Sequence, residues 1–124
     1  MIKQNIKTVL IVDDKHVQLK TLRRALRTRG YQVVEAISGK QALDHIEKNK
    51  DIDIVITDYA MPEMNGIELL QKIRKTSKSI PVILMTAYGD KDLVIKAMHY
   101  QCTGFIDKPF DIDELLDVVH SYCS

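Results

Sequence analysis

The chain has 124 residues, of which 45% are hydrophobic and 28% charged, and its 18 basic and 17 acidic side chains leave a formal net charge of +1. This length is typical of one domain that buries its core without disulfide or metal staples. The near-neutral charge argues against a general attraction to nucleic acid or membranes, so functional acids must be found locally.

The lack of targeting segments and the spacing of the cysteines indicate the cellular compartment. No apolar run approaches the length of a bilayer span, and residues 1–7 lack the apolar segment of a signal peptide. Cys102 and Cys123 follow neither a metal-binding nor a disulfide spacing, which favours free thiols in a reducing compartment. We therefore expect a cytoplasmic protein with one domain that spans residues 1–124.

Five short apolar segments have the composition of strands in a parallel sheet covered on both faces. The third is β-branched throughout and stops at Asp58, before a loop marked by Pro62 and Gly66. The second is more polar, which predicts an edge position. In chain order, the predicted strands are Thr8–Val12, Tyr31–Ala36, Ile54–Thr57, Pro81–Met85 and Phe105–Asp107.

Helical periodicity follows each of these segments. The first helix places three leucines on one face and stops at Gly30. The last begins at Asp111, which can cap it, with Glu114 placed to complete a capping box, while Phe110 and Leu115 are spaced as a hydrophobic staple. The first predicted helix ends near Arg29, and the last follows Asp111. The three helices between them cover Ser38–Lys48, Ile67–Lys75 and Asp90–Tyr100.

Five strands alternating with five helices predict an α/β, doubly wound, five-stranded parallel sheet with helices on both faces. We expect the strand order 2-1-3-4-5, which is a known order for this architecture, with the switch point between the first and third strands. Ligands of such sheets bind beyond the carboxyl ends of the strands. Asp13, Asp14 and Asp58 should therefore meet in one crevice, joined by Thr86 and Lys108 from the next two strand ends.

This set of side chains has a definite chemistry. Three carboxylates within a few ångströms of one another repel and call for a cation. Oxygen ligands of high charge, without histidine or cysteine, select a hard divalent ion such as Mg²⁺. With the Lys108 ammonium and the Thr86 hydroxyl nearby, Asp58 is placed to carry a phosphoryl group.

Four motifs resemble those of receiver domains from two-component response regulators, the CheY-like family of flavodoxin-like fold. They are Asp13-Asp14, the run Asp-Tyr-Ala-Met-Pro-Glu-Met-Asn-Gly from Asp58 to Gly66, Thr86-Ala87, and Lys108-Pro109-Phe110. The resemblance covers the whole chain. It implies a phosphoacceptor signalling protein, in a two-component system or phosphorelay, that catalyses only its own phosphorylation and dephosphorylation.

The resemblance also implies a role for each matching residue. Asp58 would take a phosphoryl group from phosphohistidine on a sensor histidine kinase or a histidine phosphotransfer protein. Thr86 and Lys108 would bind the phosphoryl oxygens. Mg²⁺ would be held by Asp13, Asp14, Asp58 and the backbone carbonyl of Ala60.

The output face is the last part of the implied mechanism. Thr86 and Phe105 would switch the face formed by the fourth helix, fifth strand and fifth helix toward a downstream output protein or domain. This domain would contact no nucleic acid and no membrane directly. Among consecutive apolar residues of the fourth helix, we expect Val94 to be the exposed one, because helical geometry prevents all of them from facing the sheet. We expect Met98 to pack inside.

Three positions depart from the pattern of some relatives. Ala60, two residues after the acceptor, cannot orient a water, and Tyr88, two residues after Thr86, is bulky enough to lean over the site. Both features predict slow hydrolysis of the phosphorylated state. Lys15, directly after the acid pair, adds a positive charge that we expect to tune metal affinity.

Three alternatives stay open at this stage. A phosphatase of the haloacid dehalogenase type also uses an aspartate nucleophile with Mg²⁺, but it would need Asp-x-Asp directly after the first strand. A flavin mononucleotide carrier shares the fold, but adjacent acids at the phosphate-binding turn would repel its cofactor. The third alternative is the N-terminal receiver fragment of a longer transcriptional or enzymatic response regulator.

Overall fold

The computed structural model describes residues 7–49, 51–77, 79–87 and 89–123, which alternate strands with helices as the sequence predicts. Each strand is five to seven residues long, which is an ordinary length. The third strand begins two residues earlier than predicted and includes Asp58 itself. The strands are β1 (Thr8–Val12), β2 (Gln32–Ala36), β3 (Ile52–Asp58), β4 (Val82–Ala87) and β5 (Gly104–Lys108).

These strands form one parallel sheet in the order β2-β1-β3-β4-β5, so the predicted fold class and strand order are confirmed. The register aligns the carboxyl ends of the central strands, with Val12 beside Thr57 and Asp58 beside Met85. The more polar β2 lies at one edge, as expected. Residues that follow these strands therefore share one edge of the sheet, which we call the carboxyl edge.

Four of the five helices begin at a residue whose side chain accepts a backbone N–H, and α1, whose N-cap is Lys15, lacks such a bond. In α3 the side chain of Asn65 accepts a hydrogen bond from the backbone of Glu68, whose carboxylate accepts one from Asn65 in return. Asp111 accepts a bond from the backbone of Glu114, as predicted. The helices are α1 (His16–Thr28), α2 (Gly39–Lys48), α3 (Gly66–Thr76), α4 (Lys91–His99) and α5 (Ile112–Cys123).

Two apolar clusters fill the space between the sheet and the helices, one on each face. One cluster joins Leu10 and Val55 of the sheet to Leu70 of α3, and the other joins Ile11 to Leu22 of α1 and Leu115 of α5. Since both faces of the central strands are covered, their side chains are apolar without alternation. Among the described residues, no helix is both long and apolar enough to cross a membrane.

The expectations for α4 were wrong in two places. Ile95, not Val94, is the exposed member of the apolar run, with 64% of its surface accessible, while Val94 is half-buried. Met98 is also exposed rather than packed. Leu93 and Ala97, four residues apart, turn toward the sheet, so Ile95 and Met98 lie on the outer side of the helix.

Candidate functional site

The carboxyl edge brings together the three predicted acids. Asp13 follows β1 and Asp58 ends β3, and both are almost fully buried. Asp14, the next residue, is half-buried. One carboxylate oxygen from each of the three lies within 4.8 Å of the other two.

Two oxygens of this cluster are unusual for a protein interior. Asp13 Oδ1 accepts a hydrogen bond from the backbone N–H of Lys15 at 3.0 Å, but Oδ2 of Asp13 and Oδ2 of Asp58 are buried without a hydrogen-bond partner among the described residues. A buried acceptor without a partner costs free energy, and a buried carboxylate costs more. Carboxylate oxygens left open in this way fit a bound hard cation.

Two lysines contact Asp58 from different sides. Lys108 Nζ, from the end of β5, donates to Asp58 Oδ1 at 2.8 Å. Lys15 Nζ lies 3.8 Å from Asp58 Oδ2 and 3.3 Å from Asp14 Oδ1. Three carboxylates therefore face two ammonium groups, which leaves one formal negative charge in excess.

Burial and neighbouring charges shift the pKa values of Asp13 and Lys15. Burial is the main reason that the pKa of Asp13 is raised, and the neighbouring Asp58 charge raises it further, against the lowering effect of the Lys15 N–H bond and of the two lysine charges. The pKa of Lys15 is raised, chiefly by its hydrogen bond to Asp14. In both cases the charge of a neighbouring aspartate adds to the upward shift of the pKa.

Thr86 lies near the end of β4, one residue after Met85, which pairs with Asp58 in the sheet. The Thr86 hydroxyl is directed toward β5. The residue is 1% exposed, and its hydroxyl donates to Asp107 Oδ1 over a long 3.4 Å. Asp107 is its neighbour in the β4–β5 register. Phe105, two residues earlier on β5, is half-buried and packs against one of the core clusters.

The loop after β3 carries Ala60 past the acids. It returns to the sheet at Gly66, whose backbone N–H donates to Tyr59 O at 2.9 Å. A Cβ on Gly66 would come within 2.6 Å of Asp58 O, so glycine permits this close return. Ala60 is exposed at the mouth of the site. Tyr88, the bulky residue expected to lean over the site, lies outside the described residues.

A groove of about 830 Å³ opens beside Asp58. Asp58, Lys15 and Lys108 line its charged end, and the remainder is lined by α1 and by the segments around the starts of α4 and α5, with Leu93 and Phe110 among the apolar side chains. The groove therefore offers a charged reaction centre next to an apolar surface that is large enough to receive part of another molecule.

The structure thus brings together the predicted acids, Thr86 and Lys108 at one edge. Sequence reasoning did not single out Asp107 as the acceptor for Thr86, because that contact depends on the β4–β5 register. It did notice Lys15 as a nearby charge, but not its approach to Asp58. The only available signal for that approach was the adjacency of Lys15 to the acid pair.

Comparisons with known proteins agree with this geometry. The family model of the response regulator receiver domain matches residues 9–120. Sporulation initiation phosphotransferase F of Bacillus subtilis is 39% identical over 114 residues, which cover 92% of this chain and 91% of that protein. The crystallised chemotaxis protein CheY4 of Vibrio cholerae superposes with a TM-score of 0.90 at 28% identity, covering 95% of this chain and 99% of that one.

The chain belongs to the response regulator receiver domain family. This family assignment displaces the phosphatase and flavin-carrier alternatives. Relatives of two sizes match, since the transcriptional regulatory protein ZraR of Klebsiella oxytoca is 39% identical over 107 residues, which are 86% of this chain but 24% of that protein. The chain is thus a receiver domain of the kind used in two-component signalling, which occurs both in domain-sized proteins and in long regulators.

Proposed function

We propose that this receiver takes a phosphoryl group onto Asp58 from a phosphohistidine of a sensor histidine kinase or a histidine phosphotransfer protein. The observation that carries the proposal is the convergence of Asp13, Asp14 and Asp58, whose oxygens approach within 4.8 Å while two of them lack partners among the described residues. On this proposal residues 1–124 act as one receiver domain in the cytoplasm, with a downstream output protein or domain.

The transfer is a displacement at phosphorus. A carboxylate oxygen of Asp58 forms the new O–P bond as the P–N bond of phosphohistidine breaks, and the bonding pair leaves with the imidazole nitrogen. The Lys108 ammonium, 2.8 Å from Asp58 Oδ1, is placed to neutralise charge on the transferred group. Positioning and charge neutralisation supply most of the catalysis in such transfers. The partner enters through the groove beside Asp58.

The oxygen donors of the site fit Mg²⁺, because two buried carboxylate oxygens have no hydrogen-bond partner among the described residues. Asp13, Asp14, Asp58 and the backbone carbonyl of Ala60 would hold the ion. Bound Mg²⁺ supplies charge stabilisation for the phosphoryl oxygens. Ala60 carries only a methyl group and cannot orient an attacking water, so the phosphorylated state should hydrolyse slowly.

Thr86 and Phe105 form the proposed switch. In the described state the Thr86 hydroxyl donates to Asp107, on the side of β5. A phosphoryl group on Asp58 offers charged acceptor oxygens, which form stronger hydrogen bonds than the long 3.4 Å contact. Moving Thr86 toward them frees space beside β5 that Phe105 can fill, and this rearrangement changes the α4–β5–α5 face.

Labelling by acetyl phosphate in the presence of Mg²⁺ tests the acceptor. Asp58→Asn keeps the shape of the side chain and removes the nucleophile, so labelling should fall to background while the circular dichroism spectrum is retained. Asp44→Asn, at an exposed position of α2, is the matched control and should label like the parent. Undiminished labelling of the Asp58→Asn variant would overturn the assignment.

A further inference from the structure

Lys15 occupies an unusual position for a largely exposed lysine. Its side chain is 62% exposed, yet its ammonium lies 3.3 Å from Asp14 Oδ1 and 3.8 Å from Asp58 Oδ2. Asp58 Oδ2 is one of the two buried oxygens that lack a hydrogen-bond partner in the described part of the chain. Lys15 therefore reaches from the surface toward the open oxygen of the acceptor, whereas Lys108 binds the other oxygen of that carboxylate.

The backbone of Lys15 is held in place, whereas its ammonium group is free to move. Lys15 is the N-cap of α1, and its N–H donates to Asp13 Oδ1 at 3.0 Å. Beyond that anchor, four flexible carbon–carbon bonds carry the ammonium through a solvent-exposed region. The ammonium can thus sit between Asp14 and Asp58 or swing out to water without moving the helix.

We propose that Lys15 is a tethered counter-ion that competes with Mg²⁺ for Asp14 and Asp58, so that binding of the metal displaces the lysine head. This inference deepens the proposed function and rests on its assignment of these acids as metal ligands. Without metal, Lys15 offsets the repulsion among the three acids. With metal, its displaced charge lowers the net attraction of the site for a second cation.

A substitution that removes this charge should have opposite effects on two properties. Lys15→Met keeps most of the side-chain length and the backbone N–H. The metal-free protein should become less stable to heat, because the acids lose a counter-charge. Mg²⁺ should bind more tightly, by about threefold to tenfold, which is the range expected for losing two partly exposed ion pairs. A merely structural role for Lys15 would not tighten metal binding.

Calorimetric titration of the unphosphorylated full chain with MgCl₂ measures this effect. Lys20→Met is the matched control, because Lys20 is an exposed lysine of the same helix, with no ion pair among the described residues, and its loss changes the net charge equally. We expect a lower Kd for Lys15→Met and a parent-like Kd for Lys20→Met. The gain should shrink at high salt, because exposed charges are screened.

The possible results distinguish a failure of the Lys15 counter-ion role from a failure of the proposed function. If the parent binds Mg²⁺ and Lys15→Met binds it no more tightly than Lys20→Met, the counter-ion role is overturned and the proposed function stands. If the parent binds no Mg²⁺, the metal site of the proposed function fails, and the competition with Lys15 fails with it.

Discussion

The edge of the sheet where the strands begin, its amino-terminal edge, differs from the carboxyl edge. At the amino-terminal edge the charged side chains of Asp53 and Arg74 have hydrogen-bond partners. At the carboxyl edge two buried carboxylate oxygens have none within the described residues. Asp53, at the start of β3, accepts the backbone N–H of Thr8 at 2.8 Å. Arg74, at the end of α3, donates to the carbonyl of Ile80 at 2.6 Å and to that of Gln101 at 3.0 Å.

The contrast between the two edges distinguishes charged groups that stabilise the fold from charged groups that are placed to bind a ligand. Arg74 ties the end of α3 to the segments before β4 and β5, and its hydrogen bonds leave little for another molecule to satisfy. The acids at the carboxyl edge repel one another and are only partly neutralised by two lysines. A charge at the first edge should therefore stabilise the fold, and a charge at the second should oppose it until a ligand binds.

The largest expected effect lies at the amino-terminal edge. Arg74→Met should lower the free energy of unfolding by about 2 to 4 kcal/mol, because several backbone carbonyls lose a charged donor together. Urea denaturation measures it. Lys72→Met, at an exposed position of the same helix, should change stability by no more than about 0.5 kcal/mol. Equal losses in the two variants would remove the distinction between the edges.

At the carboxyl edge we expect the opposite sign. Asp13→Asn, without metal, should raise the free energy of unfolding at pH 7 by about 1 to 2 kcal/mol, because it removes a buried charge yet keeps an acceptor for the Lys15 N–H. A clear loss of stability in this variant would show that the Asp13 charge holds the fold together.

The same variant has a predicted pH dependence. Burial raises the pKa of Asp13 above its ordinary value of 3.8, so the folded state binds this proton more tightly than the unfolded state. The resulting stability is present below pH 3.8 and is lost as pH rises through the raised pKa. The advantage of Asp13→Asn should therefore be full at neutral pH and disappear in acid, as denaturation at a series of pH values would measure.

The smallest predicted effect concerns the bond between Thr86 and Asp107. Asp107→Val removes the acceptor, which should change the population ratio of Thr86 rotamers by about twofold, because a long hydrogen bond contributes about 0.5 kcal/mol. Nuclear magnetic resonance shifts of the Thr86 methyl and the Phe105 ring should move toward those of the parent carrying a beryllofluoride phosphoryl mimic. Asp107→Asn retains an acceptor oxygen and should move them less. Chemical shifts that change in neither variant would exclude Asp107 from the switch.

Much of this architecture could be predicted from the sequence, because it follows from local patterns. Apolar strands, helix caps and alternation determine the fold class, and the parallel order places Asp13 and Asp58 at one edge. The cap at Asp111 is similarly local, since its partner Glu114 is three residues away.

The remaining features depend on distances that no local pattern contains. The contact between Thr86 and Asp107 requires the β4–β5 register, and the exposure of Ile95 rather than Val94 requires the rotation of α4 about its axis. The reach of Lys15 to Asp58 depends on how α1 begins relative to β3. Each of these is a tertiary relation between elements whose existence was predicted correctly.

The carboxyl edge carries uncompensated negative charge, which a divalent cation should relieve. This relief is tested most directly by the free energy of unfolding of the parent and of Asp13→Asn, each with and without Mg²⁺. With Mg²⁺ at 100 times its Kd, the parent should gain about 2.7 kcal/mol. Asp13→Asn, more stable without metal, should gain much less and fall below the parent once Mg²⁺ is present. Equal gains in both proteins, or no gain in the parent, would contradict the account.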